Sequence, residues 1–244
     1  MNRSVISGAV LTAVVLFVGP GRVAAETRGE AETRDLLRML EEIIDLKDFQ
    51  NPMSLRELTG LLYEKYAAKG KVLAIHINEE AFKKAGGTSE DWEAKPLRLP
   101  AYPKQLSVAV ALRIAVRQIE SFEATYLIRH GGIEILPAKY ATPAHLLKSN
   151  VQGAFVKTTL EDVLQELAYQ TGASITLDPR AGDKARAPIT ATFRNDVTLD
   201  SALRMVAEMA ELKLVVLPGG LFVTTAEQAE KMLKERSAVQ SASN

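Results

Sequence analysis

Two helix-forming stretches of this chain follow one template. The first reads Ser107-Val108-Ala109-Val110-Ala111-Leu112-Arg113-Ile114, the second Thr198-Leu199-Asp200-Ser201-Ala202-Leu203-Arg204-Met205. A hydroxyl cap, a first apolar residue, Ala-Leu-Arg and a further apolar residue match in place. After each stretch a Gly-Gly pair, Gly131-Gly132 or Gly219-Gly220, separates two β-rich runs. A hydroxyl side chain can accept from the exposed N–H groups of a helix's first turn, and glycine-rich punctuation between β-rich runs marks a hairpin. The template therefore predicts a helix followed by a hairpin, twice.

The same plan extends backwards from both helices. In the first pass, 43–49 is a strand candidate and Ser54-Leu55-Arg56-Glu57 is a capping box. Leu55, Leu58, Leu62 and Tyr66 then continue one apolar helical face, and Gly70 ends it. The run 72–77 is β-rich, 86–95 is a polar loop, and 96–99 is a short strand between prolines. In the second pass, 154–157 is a strand, Thr159 opens a helix that Gly172 ends, 174–177 is a strand, and 189–194 alternates apolar with polar residues. The predicted fold class is α+β: two small repeated modules, each strand–helix–strand–strand–helix–hairpin, with helices packed on one face of a small mixed sheet. The boundaries are 26–42 for a polar lead and short helix, 43–139 for the first module with its inserted loop, and 140–150 for a linker. The second module is 151–225, and 226–244 holds a C-terminal helix and a disordered tail. That helix is expected to end near 235.

Ahead of the modules stands a segment of different character. Arg3 gives a positive start, residues 5–18 are almost wholly apolar, Gly19-Pro20-Gly21 breaks any helix, and small residues follow at Val23-Ala24-Ala25. This is the layout of a cleaved secretory signal peptide spanning 1–25, and the apolar run is shorter than the ~20 residues a membrane span needs. The expected location is the periplasm or the extracellular space, with no stable membrane insertion after cleavage. The sequence contains no cysteine, so neither disulfides nor thiolate chemistry are available, which suits a bacterial exported protein. Thirty basic residues balance thirty acidic ones; without 1–25 the count is 28 against 30. A near-neutral chain has no field to steer it to nucleic acid, and no G-x-x-G loop joins two helices.

The second module resembles the short N-terminal domain shared by secretins and TonB-dependent receptors, the STN family. The residues that carry the resemblance are Thr159-Leu160, Val163-Leu164, Leu167-Ala168, Thr171-Gly172, Ile175, Val197-Thr198-Leu199, Ala202-Leu203 and Phe222-Val223. The first module looks like a diverged copy. The resemblance implies a periplasmic module that contacts other proteins or assembles with them. The chain lacks the strand pattern of the barrel or secretin core that follows such a domain in the family, so channel or receptor activity is not implied.

Candidate chemistry is sparse. His76 lies in a strand run, His130 at a hairpin turn and His145 in the linker, and no two share metal-ligand spacing. Glu57, Glu161 and Asp162 sit where helix first turns favour negative charge. Ser54 and Ser107 read as caps, and the Gly-Gly pairs precede strands rather than helices, unlike phosphate loops. No catalytic, cofactor-binding or metal-binding residue is assigned. Trp92, the single tryptophan, in a polar loop, and Tyr102, between Pro100 and Pro103, are the candidate partner-binding residues. The reading is a non-enzymatic envelope protein with an envelope protein partner or self-assembly. The alternatives are an accessory domain binding a cell-wall or carbohydrate ligand, or an enzyme with an unrecognised carboxylate site.

Overall fold

In each half of this chain the two strands that lead into the two longer helices after them pair with one another, and the remaining strands pair separately. The computed structural model describes residues 28–242 apart from 89–91 and 94; the expected signal peptide lies outside the described residues. The first half runs α1 (Arg28–Glu41), β1 (Ile43–Asp45), α2 (Leu55–Ala67), β2 (Ile75–Ile77), α3 (Glu79–Lys84), β3 (Gln105–Ser107), α4 (Val108–Arg117), β4 (Ala124–Arg129) and β5 (Gly132–Pro137). The second runs α5 (Pro143–Leu146), β6 (Asn150–Thr159), α6 (Leu160–Thr171), β7 (Ile175–Leu177), β8 (Pro188–Thr198), α7 (Leu199–Met209), β9 (Lys213–Leu217), β10 (Gly220–Thr224) and α8 (Ala226–Ala242).

The class is α+β, but each half divides its strands between two sheets where a single one was expected. β1 pairs antiparallel with β3, and β6 with β8. The remaining strands form two three-stranded mixed sheets, ordered β2-β5-β4 and β7-β10-β9. In both, the middle strand runs parallel to the strand after the first helix and antiparallel to its hairpin partner. The backbone bonds at the sheet ends also correspond. Ile133 N–H donates to Ala74 O at 2.9 Å and Leu221 N–H to Ser174 O at 2.8 Å; Asn78 N–H donates to Ile135 O and Asp178 N–H to Val223 O, both at 2.9 Å.

Local chemistry sets the helix starts. Ser54 and Glu57 form the full capping box, with Glu57 N–H donating to Ser54 Oγ at 3.1 Å and Ser54 N–H to Glu57 Oε2 at 2.7 Å. Ser107, Thr159 and Thr198 cap α4, α6 and α7. Gly172 ends α6 at φ 71°, a conformation in which a Cβ would be strained. The apolar faces that these caps launch fill two cores. Leu36, Leu58, Leu62, Tyr66, Leu112 and Ile135 belong to the first; Leu164, Leu167, Ile189, Phe193, Leu203 and Val223 belong to the second.

Several segments depart from expectation. In place of a polar lead with a short helix at 26–42, α1 runs the length of Arg28–Glu41, and its Leu36, Met39 and Leu40 are buried in the first core. Residues 140–150 hold α5 and the start of β6, and Leu146 is buried in the second core, so this stretch is packed structure rather than a bare linker. The C-terminal helix runs to Ala242, through much of the expected disordered tail. The strand expected at 43–49 stops at Asp45, whose carboxylate accepts from Lys47 N–H and starts a 3-10 turn, Leu46–Phe49.

The halves touch where the end of α6 meets β4. His130 N–H donates to Tyr169 O at 2.9 Å. The Tyr169 ring lies on Gly29 of α1, its hydroxyl donates to Glu32, and Leu127 of β4 packs against the second core. A Cβ on Gly172 would stand 3.1 Å from Ile128 O, so this close approach depends on glycine.

Candidate functional site: an open strand edge

Each half builds a ribbon from the strands ahead of its helices, but the two ribbons differ in length. In the first half, β1 and β3 match only three residues each, and a lone bridge between Met53 and Leu97 follows farther along. The 3-10 turn interrupts one side. Pro100 and Pro103 interrupt the other, since proline cannot donate to a ladder. In the second half, β6 and β8 pair over ten and eleven residues, with two irregularities in register.

A two-stranded ribbon has two outer edges, each a row of backbone N–H and C=O groups facing away from the partner strand. On the β6 side one position is already satisfied. The Gln170 amide donates to Gln152 O at 2.8 Å, and its oxygen accepts from Gln152 N–H at 3.1 Å. These are the two bonds that the peptide group of a neighbouring strand would make. Gln118 does the same to Arg98 in the first half, at 2.8 and 2.9 Å. On the β8 side, no backbone bond joins 189–194 to any element but β6 among the described residues. Thr190, Thr192 and Arg194 are exposed along it, and an open groove of about 820 Å³ crosses the ribbon beside Phe193 and Gln170. Among the described residues the C-terminal helix lies against β9 instead, and donates from Arg236 to Val216 O at 2.7 Å.

The residues singled out from sequence fall elsewhere. Trp92 is not an exposed anchor. It is fully buried, stacked on Phe82 with ring centroids 5.0 Å apart, and Phe122 meets Phe82 edge-on at 5.5 Å. The polarity of its own loop hides this placement, because its apolar neighbours come from distant parts of the chain. Tyr102 is 85% exposed, in the bend between β3 and the Met53–Leu97 bridge, and is not joined to Trp92 in any site.

His76 is exposed on β2 opposite Glu134, His130 meets the Tyr169 ring at 5.7 Å, and His145 meets the Tyr140 ring at 4.8 Å. Burial, and then Lys148, pull the His145 pKa below its ordinary value. Glu134 is buried; its Oε1 accepts from Asn78 at 2.7 Å, and its Oε2 is ion-paired with Arg129. Asp178, also buried, accepts from Arg180 and Thr224, and these bonds hold its carboxyl at about 2. Each acid ties the residues just after the parallel outer strand to the central strand of its sheet: Glu134 in β5 holds Asn78 after β2, and Asp178 after β7 holds Thr224 of β10. Among the described residues, no three His, Asp or Glu side chains gather as metal ligands would, and no helix is long and apolar enough to cross a membrane.

Comparison of the chain with protein-family models, with curated proteins and with solved structures gives no match.

Proposed function

We propose that this chain is an exported envelope protein that works by binding another protein, without catalysis of its own, and that the contact is made by strand addition to β8. The observation that carries the reading is the outer edge of β8, whose backbone from 189 to 194 bonds to no element but β6 among the described residues. An extended segment laid along such an edge gains main-chain hydrogen bonds, while alternate side chains supply specificity. The exposed Thr190, Thr192 and Arg194 stand at that alternate spacing. The signal-peptide layout of 1–25 supports export, and the resemblance of the second half to the STN family supports a role in protein contact.

The test places a photo-crosslinking residue at Thr192, and in a second version at Lys231 on α8, in protein exported by its native host. The proposal expects one discrete protein adduct from position 192 and none from 231. Equal labelling at both positions, or no adduct at 192, would remove β8 as the contact.

A further inference from the structure

The outer edge of β9 is free of any strand among the described residues, and α8 lies against this strand. Leu217 and Gly220 flank a two-residue turn, so they form the hydrogen-bonded pair that closes the hairpin. Pairing then alternates along the ladder. The next pair, Val216 with Leu221, is a non-bonded one, and so is Leu214 with Val223. Leu221 accordingly turns its N–H the other way, to Ser174 O. The N–H and C=O groups of both Val216 and Leu214 therefore point away from β10, towards the open side of the sheet.

One of these four groups has a partner in α8: Arg236 donates to Val216 O at 2.7 Å. The rest of the attachment is slight. Among the described side chains of α8, Ala229 is buried, at 5%, Met232 is half-buried and Leu233 is 55% exposed. Neither Ala229 nor Val215, which is buried at 3%, belongs to the second core. Lifting α8 thus uncovers β9 without opening the core beneath it.

We propose that α8 is a removable cover and that β9 is a self-pairing edge which joins two copies of the chain. The hydrogen-bond pattern selects the occupant. Set antiparallel about a two-fold axis at Val215, Leu214 of one copy faces Val216 of the other. Each such pair exchanges two N–H···O=C bonds, so the outward groups of both residues are satisfied in both copies at once. The two three-stranded sheets become one continuous sheet of six. Five consecutive residues, Lys213–Leu217, contain no proline to obstruct this and no charge beyond Lys213 at the end. The junction between the two halves offers no competing way to extend the assembly. It uses the His130 N–H, and Pro218, at the matching hairpin turn, has no N–H to give.

The test uses the full chain carrying Ala229→Glu and Arg236→Ala, which place a charge in the α8 contact and remove its anchor. Sedimentation velocity should show a monomer become a dimer, with self-association tightened about tenfold or more. Adding Val216→Pro, which deletes an outward N–H and no bond to β10, should restore the monomer. A loosened chain that stays monomeric overturns the proposal, and so does one that associates equally well with proline at 216. If circular dichroism shows the proline variant unfolded, hydrogen exchange on the loosened chain decides instead. The Leu214 and Val216 amides must slow as the protein associates; unchanged exchange there means the contact lies elsewhere.

Discussion

Leu203→Ala tests whether the template shared by α4 and α7 marks the core. Leu203 is fully buried in the second core, among Leu199, Val206, Leu164, Leu167, Ile189 and Phe193. Cutting its side chain to a methyl group removes three carbons. At about 0.8 kcal/mol for each buried methylene, the lost transfer energy is about 2.4 kcal/mol. The cavity left behind adds to this, so the total falls within about 2–5 kcal/mol, depending on how far the neighbours collapse. Met205→Ala on the same helix is the control: Met205 is 45% exposed, and its loss should stay within about 0.5 kcal/mol. Urea unfolding followed by far-ultraviolet circular dichroism gives both values. Trp92 supplies a second probe, because it lies in the first core and is the single tryptophan. The two cores share no buried residue, so Leu203→Ala should move the Trp92 fluorescence transition less than the ellipticity transition. A loss under about 0.5 kcal/mol for Leu203→Ala would refute the core assignment. Equal shifts in the two signals would refute the separation of the cores.

Two further outcomes follow from single residues. Gly172→Ala puts a Cβ into a left-handed backbone position and 3.1 Å from Ile128 O; it should destabilise the chain by more than about 1 kcal/mol and speed hydrogen exchange at His130, whose N–H bonds to Tyr169 O. The Asp178 carboxyl is held at about 2, below its ordinary 3.8, first by the Arg180 side chain and then by Thr224. Because the folded pKa is the lower of the two, its contribution is complete above about pH 4 and is lost as pH falls from there through 2. Asp178→Asn should therefore be less stable than the parent at neutral pH and lose less between pH 4 and 2; parallel stability profiles over that range would show that the Arg180 and Thr224 bonds do not act on the folded state.

The features legible in the sequence are those set by near neighbours. Ser54, Ser107, Thr159 and Thr198 cap their helices because a hydroxyl and a first-turn N–H lie three residues apart, whatever the rest of the chain does. Both hairpins were legible from their glycines; His130 and Gly131 take φ 50° and 66°, as a tight two-residue turn requires. The division of strands between two sheets was not legible, since it depends on pairings such as Asn150 with Thr198 across the whole of α6. Helix α3 has six residues, too few to establish a helical period, yet its Phe82 provides the surface on which Trp92 stacks. The Gln170 amide on Gln152 left no local trace either, because glutamine on an exposed helix face is ordinary composition. The candidate edge was anticipated in part: 189–194 was read as a half-buried strand, whereas the span of the ribbon and the position of α8 against β9 depend on tertiary packing.

Hydrogen exchange along β8, in the chain alone and in the complex with the protein crosslinked at position 192, tests strand addition most directly. Successive backbone amides of a strand point to opposite sides, so an added strand bonds only every second N–H. The account predicts that binding slows an alternating set of amides within 188–198, the set that does not bond to β6, and leaves the others as they were. Unchanged exchange on β8, with protection appearing on α6 or α7 instead, would contradict it.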